Sequence, residues 1–276
     1  MIAVGDIAVC GTSGDEATGA IVDSLLLADS TQKVAAAVIT LGDNAYPSGS
    51  QGVANDFPRC FSPSWGRRRI MRAIHPSPGN HDYDSGTGDP YFKYFGARAG
   101  PSAKGYYSFD FGGWHFVSLN SELYFEAGDE TQARAQEDWL RDDLQRNRSL
   151  CTVAYFHRPL FSSGTYGGIR EVRPLWDIMY PAGVDLVLNG HEHNYERFRP
   201  QTPAGAPDSI RGIVQIITGT GGGALRRIDQ PYAANSVARI QGRFGVLKLV
   251  LGDGEYRRSF IEAGGRVWDS GSGRCH

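Results

Sequence analysis

Residues 35–46 read AAAVITLGDNAY, a mostly apolar run that ends in Gly42 and Asp43. The run is short and bounded by turn-forming residues, which predicts a buried strand over 35–41. The same arrangement, an apolar run followed by a residue that can bind a metal, occurs at four other places. These are Ile2–Val4 before Asp6, Ile74–Pro78 before Asn80, Thr152–Phe156 before His157, and Val184–Leu188 before His191.

Strand-like runs that alternate with helical patterns predict an α/β fold. Apolar residues at helical spacing predict helices over Glu16–Ala28, Thr131–Arg146 and Arg173–Tyr180. Further strands are expected at Tyr106–Phe111, Trp114–Leu119, Val214–Thr218, Phe244–Leu251 and around Phe260, the first two forming a hairpin through Gly112-Gly113. Residues 82–105 and 219–243 are predicted to be loops. Because no convincing linker divides the chain, we expect one domain over residues 1–276.

Charge and hydropathy exclude several classes of protein. The chain has 276 residues, with 28 basic and 30 acidic side chains and a net charge of −2. Proteins that bind nucleic acids or anionic membranes normally carry a basic excess, so neither is an expected partner. No apolar run approaches the roughly 18 to 20 residues of a membrane-spanning helix.

Four cysteines, Cys10, Cys60, Cys151 and Cys275, lie far apart without a CxxC motif. A zinc ribbon is therefore not expected. The four could form two disulfides in any of three pairings, which would suit a secreted or periplasmic protein, or remain buried thiols. Residues 1–5 resemble a strand rather than a signal peptide, so any such leader is absent or already removed.

The polar residues at the strand ends have the pattern of a metal site. Ligands of open α/β sheets bind at the carboxyl ends of the strands. Asp6 and Asp43 are 37 residues apart, as are Asp43 and Asn80, which is enough for a strand, a helix and the next strand. His191 and His193 are two residues apart and would face the same side of an extended chain. Oxygen and nitrogen donors without thiolates suit zinc, iron or manganese, and their number suits two ions bridged by Asp43.

Five ordered blocks resemble the calcineurin-like metallophosphoesterases: GD at 5–6, GDNAY at 42–46, GNHD at 79–82, His157, and GHEH at 190–193. Tyr46 and the YER sequence at 195–197 are most similar to the purple acid phosphatase branch, in its compact bacterial form. The resemblance implies a β-sandwich of two mixed sheets flanked by helices, in α/β/β/α layers.

The resemblance also implies a ligand set for two ions. The first ion would be held by Asp6, Asp43, Tyr46 and His193, and the second by Asp43, Asn80, His157 and His191. Many members of the superfamily have an Asp-x-His first block, whereas this chain has Asp6-Ile7-Ala8. Tyr46 compensates in the purple acid phosphatase pattern, which implies Fe(III) with a second ion, Zn, Mn or Fe(II).

The implied activity is hydrolysis of a small-molecule phosphate ester, as in an acid phosphatase, by attack of a metal-bound hydroxide. His81 would bind the phosphoryl group or protonate the leaving group, and Asp82 would orient His81 or cap a turn. Purple acid phosphatases often carry a further histidine after the fourth block, but residues 158–167 contain none. Arg158, Tyr166 and Arg170 are candidates to contact the substrate instead.

Three alternatives remain open from the sequence. Taken singly, Asp6 and Asp43 are more often turn or helix-cap residues than ligands, Asn80 is a common turn former, and a histidine is more often a hydrogen-bonded structural residue. Within the superfamily the chain could be a phosphodiesterase, a nucleotidase or a phosphotriesterase. It could also be a non-catalytic protein-binding scaffold with the same fold. The oligomeric state is not predicted.

Overall fold

The computed structural model describes residues 1–47, 56–101, 104–125 and 128–276. In these ranges the chain folds into two β-sheets that pack face to face, with helices on both outer faces. This arrangement of four layers confirms the predicted sandwich of two mixed sheets flanked by helices.

The first sheet has six strands. They are β1 (Ile2–Val4), β2 (Val38–Leu41), β3 (Ile74–Ser77), β11 (Gly245–Leu251), β12 (Glu255–Glu262) and β13 (Val267–Arg274). Their order across the sheet is β13-β12-β11-β1-β2-β3. Strands β1, β2 and β3 run parallel, and the remaining pairs are antiparallel.

The second sheet has seven strands. They are β4 (Tyr107–Phe111), β5 (Trp114–Ser118), β6 (Cys151–Tyr155), β7 (Leu186–Asn189), β8 (Tyr195–Phe198), β9 (Val214–Thr218) and β10 (Ser236–Ile240). Their order is β10-β8-β9-β7-β6-β5-β4, with β5, β6, β7 and β9 parallel. Gly112 and Gly113 connect β4 to β5 with φ values of 61° and 81°, as the predicted hairpin turn requires.

Six α-helices lie within the described part of the chain. They are α1 (Gly14–Thr31), α2 (Ser62–Ser64), α3 (Arg68–Ala73), α4 (Asp89–Phe95), α5 (Glu130–Arg146) and α6 (Arg173–Met179). The side chain of Asp129 accepts from the backbone of Gln132, whose side chain accepts in return from the backbone of Asp129, so that a capping box starts α5.

Alternation along the strands separates the apolar core into layers. In β1, Ala3 packs between the sheets, whereas Ile2 and Val4 pack against the helices of the first sheet. In the second sheet, Val153 packs between the sheets and Ala154 packs against α5 and α6. Strands β1 and β6 are thus buried on both faces, which explains why these predicted strands are continuous apolar runs.

The two predicted loops are wrong in part. Residues 82–105 contain α4, where Asp89 and Pro90 open a short helix and Gly96 ends it. The aromatic rings of Tyr91 and Phe95 pack into the core from this helix, so burial stabilises a segment too short to show a helical period. Residues 219–243 contain β10, which pairs with β8 at the edge of the sheet.

The structure pairs all four cysteines. Cys10 is bonded to Cys60, with Cα atoms 4.8 Å apart, and Cys151 is bonded to Cys275, with Cα atoms 5.4 Å apart. The disulfide alternative is therefore the one that the fold adopts. The two bonds connect residues 50 and 124 positions apart, and cross-links over such long loops restrict the unfolded chain strongly.

His115 joins α5 to the β4–β5 hairpin. Its Nδ1 is 2.7 Å from Asp110 Oδ1 on β4, and its Nε2 is 2.8 Å from Asp143 Oδ2 on α5. Burial opposes the charged imidazole, but the two carboxylates outweigh burial and raise the pKa of His115. Asp110 is largely exposed, so the better buried Asp143 is the stronger partner.

Replacing His115 with glutamine should make the free energy of unfolding less dependent on pH. A raised pKa in the folded state stabilises fully below the unfolded pKa of about 6.5, and this stabilisation is lost as the pH rises through the folded value. Urea unfolding at pH 5.5 and pH 9 should show a larger gap between wild type and variant at the lower pH. Equal gaps would mean that the charge of His115 does not contribute.

Candidate metal centre

The candidate ligands gather where the carboxyl ends of parallel strands from both sheets meet. In the first sheet, Asp6 follows β1, Asp43 follows β2 and Asn80 follows β3. In the second sheet, His157 follows β6 and His191 follows β7. Asp6, Asp43 and His157 are almost completely buried. Their polar atoms therefore face one another rather than bulk solvent.

One group of donors consists of Asp6, Tyr46 and His193. The hydroxyl of Tyr46 donates to Asp6 Oδ1 at 2.9 Å and lies 2.9 Å from His193 Nε2. His193 Nε2 is also 3.2 Å from Asp6 Oδ1. A phenol oxygen, a carboxylate oxygen and an imidazole nitrogen thus converge on one point.

The second group consists of Asn80, His157 and His191. The amide oxygen of Asn80 is 3.1 Å from both His157 Nε2 and His191 Nδ1, and these two nitrogens are 3.2 Å apart. Asp43 Oδ2 lies 3.3 Å from His157 Nε2. One ligand atom each of Asp6, Asp43 and His157 also lies within 4.8 Å of the others, so Asp43 is within reach of both groups.

Backbone carbonyl groups set the orientation of two imidazoles. His157 Nδ1 donates to the carbonyl oxygen of Leu41 at 2.8 Å, and His193 Nδ1 donates to that of Ala224 at 2.7 Å. Because a carbonyl oxygen can only accept, Nδ1 carries the proton in both residues. When the ring is neutral, the lone pair is therefore on Nε2, where a metal can bind, which is the usual way in which ligating histidines are held.

Three candidate ligands have an unusual backbone conformation. Asp6, Asp43 and His191 have φ values of 59°, 48° and 71°, in the left-handed region that disfavours residues with a side chain. Such conformations concentrate at functional sites. A Cβ on Gly79 would lie 2.3 Å from the backbone nitrogen of Asp43, so glycine is required there for close approach of the two loops.

The buried carboxylates give the site a strong negative potential. Burial opposes ionisation of Asp6 and Asp43, but neighbouring imidazoles outweigh it and lower the pKa of both carboxyls. Burial also opposes the charged form of His157, yet the carboxylate of Asp43 outweighs it and raises the pKa to about 10. Burial and the charge of His157 lower the pKa of His191 to about 3, which keeps that imidazole neutral. A metal cation would replace the proton of His157.

The phenol of Tyr46 sets a further condition on the cation. Burial, reinforced by the carboxylates of Asp6 and Asp43, raises the pKa of Tyr46 well above its usual value. Only a strongly charged cation would convert this phenol into a phenolate ligand. Carboxylates, oriented imidazoles and this phenol together fit a pair of transition metal ions.

His81 lies beside the donors, and its orienting partner differs from the expected one. Its backbone N–H donates to Asp43 Oδ1 at 2.8 Å, and its ring centroid is 4.6 Å from that of Tyr46. The imidazole Nδ1 is 2.8 Å from Asp84 Oδ2. The sequence predicts that Asp82 either orients His81 or caps a turn. The first of these predictions is wrong, because Asp84 rather than Asp82 faces the imidazole of His81. The buried Asp82 accepts from the backbone of Gly79 and from Asn44, so it holds two ligand-bearing loops together.

Arg158 lies at a cavity of about 630 Å³ next to the centre. Asn80, Tyr83, Asp84, Gly86, Glu122 and Phe125 complete the lining. Arg158 Nε donates to Glu122 at 2.9 Å, and the guanidinium carbon lies 4.0 Å from the centroid of the Phe125 ring. This arginine is therefore held in place at the edge of the site.

Tyr166 also lies at the site, whereas Arg170 does not. The Tyr166 ring stacks on the imidazole of His191, with centroids 5.0 Å apart. Arg170 lines a separate cavity with Arg173 and Phe161. The structure therefore brings together all seven candidate ligands, His81, Arg158 and Tyr166.

Similarity to known proteins agrees with this geometry. The sequence signature of the calcineurin-like phosphoesterases matches residues 2–195. The chain belongs to this family.

Among the helices that the structure describes, none combines the length and the apolar character needed to cross a bilayer.

Curated relatives of this calcineurin-like phosphoesterase confirm the resemblance to the purple acid phosphatase branch. Purple acid phosphatase 21 of Arabidopsis thaliana is 31% identical over 230 residues, covering 77% of this chain and 50% of that protein. Acid phosphatase type 7 of Homo sapiens is 31% identical over 226 residues, covering 70% of this chain and 50% of that protein. The chain thus spans about half the length of these relatives.

Solved structures share the fold of this calcineurin-like phosphoesterase. The purple acid phosphatase PPD1 of yellow lupin matches 98% of the chain, and 52% of that protein, with a TM-score of 0.77 at 18% identity. GAP50 of Plasmodium, described as an anchor in the inner membrane complex, matches the whole chain, and 88% of that protein, with a TM-score of 0.75 at 13% identity.

Two residues at the site were not found from the sequence. Asp84 follows His81 by three residues on a short helical turn, and this spacing could have indicated the pair. Arg226 lies over the ring of Tyr166, with its guanidinium carbon 4.4 Å from the centroid. Arg226 follows the glycine run 221–223, but this run lacks the lysine and the serine or threonine of a phosphate-binding loop, so only its position in the fold indicates Arg226.

Proposed function

We propose that this chain hydrolyses phosphate monoesters of small molecules at a centre of two metal ions. The observation that carries the proposal is the convergence of Asp6, Asp43 and His157, whose ligand atoms lie within 4.8 Å of one another in a buried site. Buried carboxylates require compensating positive charge. The likeness to purple acid phosphatases supports the same chemistry.

The two groups of donor atoms described above would each hold one ion. Asp6, Asp43, Tyr46 and His193 would hold the first ion, and Asp43, Asn80, His157 and His191 the second. The first ion is Fe(III) in this proposal, because the phenol of Tyr46 needs a strongly charged cation to become a phenolate. The second is Zn, Mn or Fe(II), which suit imidazole and amide donors.

Bound ions of this kind make water a stronger nucleophile at neutral pH and offset the negative charge of the phosphoryl group. The side chains of this chain would donate a proton to the leaving group and bind the organic part of the ester. His81, with Nδ1 turned towards Asp84, can give a proton from Nε2 to the leaving oxygen. The cavity beside Arg158 would hold the organic part of the ester.

Other features of the chain bear on its cellular location and on the size of its substrate. Two disulfides support a secreted or periplasmic location, because such bonds persist in oxidising compartments. The net charge of −2 favours a small-molecule substrate over nucleic acid. Residues 1–276 would form a single catalytic domain.

Metal analysis and turnover of an aryl phosphate together test the proposed function. The purified protein should contain about two transition metal ions per chain, and chelation should abolish hydrolysis. A visible absorption band should disappear in Tyr46→Phe, because that change removes the phenolate. A colourless, fully active enzyme with zinc in both positions would contradict the ferric assignment.

A panel of substrates separates the alternatives. Higher kcat/KM for diesters or triesters than for monoesters would assign the chain to another activity of the superfamily, and selective turnover of nucleotides would indicate a nucleotidase. The structural likeness to GAP50 supports a scaffold as the alternative of another class. A protein that binds fewer than about one metal ion and turns over no ester would favour that alternative.

A further inference from the structure

The backbone of Arg226 is held against a candidate metal ligand. Its N–H donates to the carbonyl oxygen of His193 at 3.0 Å. Two residues earlier, the carbonyl oxygen of Ala224 accepts from His193 Nδ1 at 2.7 Å. The segment 224–226 therefore contacts both the backbone and the ring of His193, which places Arg226 at the edge of the metal centre.

Flat side chains stack in series from Arg226 to a second candidate ligand. The guanidinium carbon of Arg226 lies 4.4 Å from the centroid of the Tyr166 ring. That ring in turn stacks on the imidazole of His191, with centroids 5.0 Å apart and planes inclined by 28°. A guanidinium that lies over an aromatic ring keeps the N–H donors in its own plane free for an anion.

One nitrogen of the Arg226 guanidinium lacks a hydrogen-bond partner in the described part of the chain. Arg226 Nη1 is buried, and no acceptor within the described ranges hydrogen-bonds to it. Buried donors of this kind are rare in native proteins, and each calls for an explanation. A phosphate oxygen is a suitable acceptor, because guanidinium and phosphate form short, charge-assisted hydrogen bonds.

We propose that Arg226 binds the phosphoryl group of the substrate, and that Tyr166 positions its guanidinium by stacking. This inference rests on the proposed phosphatase function and adds a residue that recognises the phosphoryl group. Arg226 would supply positive charge in a chain whose residues 158–167 contain no histidine.

A cation at this place also selects among phosphate esters. Near neutral pH a phosphomonoester carries almost two negative charges, since its second pKa is about 6, whereas a diester carries one. The guanidinium therefore stabilises the bound monoester more than the bound diester. Arg226 would thus contribute to the preference for monoesters.

The test uses Arg226→Met in the metal-loaded protein, with inorganic phosphate as the probe. The dissociation constant of phosphate, measured by calorimetry, should rise about 10- to 100-fold, because a charge-assisted hydrogen bond is lost. KM for an aryl phosphate monoester should rise with it, and KM for the matching diester should change less. The metal content per chain should stay the same.

Matched variants separate this role from loss of structure. Arg239 also lies over a tyrosine, Tyr232, at 4.1 Å, and it donates to Ser236. Arg239→Met should therefore leave the phosphate affinity unchanged. Tyr166→Ala should weaken phosphate binding several-fold, and Tyr166→Phe should restore it, because stacking rather than the hydroxyl positions Arg226.

A structural role for Arg226 is the competing explanation. Glu192 Oε2 is also buried and has no hydrogen-bond partner in the described ranges. If Arg226 serves only to offset the charge of Glu192, Arg226→Met lowers the Tm and leaves phosphate binding unchanged, which overturns the proposal. Loss of bound metal in Arg226→Met overturns it as well.

Two further outcomes complete the test. Should the methionine variant not fold, Arg226→Gln takes its place, and an unchanged phosphate affinity in that variant overturns the proposal. A wild-type protein that neither binds metal nor hydrolyses phosphate esters overturns the proposed function itself. An active wild type with unaltered phosphate binding in the variant overturns only the role of Arg226.

Discussion

Replacing Asp43 with asparagine should lower kcat/KM for an aryl phosphate by at least about a thousandfold. Asp43 Oδ2 lies 3.3 Å from His157 Nε2, and Oδ1 accepts from the backbone of His81. Asparagine keeps the size of the side chain but removes the charge that would join two cations. Metal ions contribute several kcal/mol to stabilising the transition state, and each 1.4 kcal/mol is about tenfold in rate.

Asp185 provides a matched control for this prediction. It is also a buried carboxylate, but it lies at the amino end of β7 and accepts from the backbone of Thr152 at 2.8 Å. Asp185→Asn should therefore lower the Tm while leaving kcat/KM within about twofold. If Asp43→Asn retains two metal ions and more than a tenth of the wild-type kcat/KM, Asp43 does not bridge the ions.

Replacing His81 with alanine should lower kcat by about 100- to 1000-fold for an alkyl phosphate and much less for p-nitrophenyl phosphate. An alkoxide is a poor leaving group and needs a proton, whereas p-nitrophenolate leaves readily without one. General acid catalysis of this kind is worth about 10²- to 10⁴-fold. The backbone N–H that donates to Asp43 remains in the variant, so the loss reports on the imidazole.

Two variants control this experiment. Asp84→Asn should cause a smaller loss with the same dependence on leaving group, because it disturbs only the carboxylate that faces His81 Nδ1. His75→Ala should leave kcat unchanged, because His75 stacks on Phe109 away from the centre. An equal loss for both esters in His81→Ala would show that His81 binds the phosphoryl group instead of donating a proton.

Much of the fold could be predicted because many of its strands and helices show a characteristic pattern of apolar residues in the local sequence. Strands β1, β2, β6, β7 and β9 are buried on both faces and therefore appear as apolar runs. Helix α4 and strand β10 were missed, because the first is too short to show a period and the second lies at a sheet edge with alternating exposure. Their formation depends on packing partners that lie far away in the chain.

The same distinction applies to the site. Asp6, Asp43, Asn80, His157 and His191 could be predicted since each stands within a few residues of a recognisable strand end. The pairing of His81 with Asp84 rather than Asp82 could not, because a short helical turn decides which carboxylate faces the imidazole. Both carboxylates are close to His81 in sequence, and only their directions differ.

The amino-acid sequence by itself determined the α/β class and the polar residues at the strand ends, because these depend on side-chain periodicity and on neighbours within a few positions. Only the tertiary structure decided the pairing of the four cysteines, the tautomers of His157 and His193, and the place of Arg226 above Tyr166. Such contacts join segments distant in sequence, and no local pattern encodes which distant group a side chain will meet.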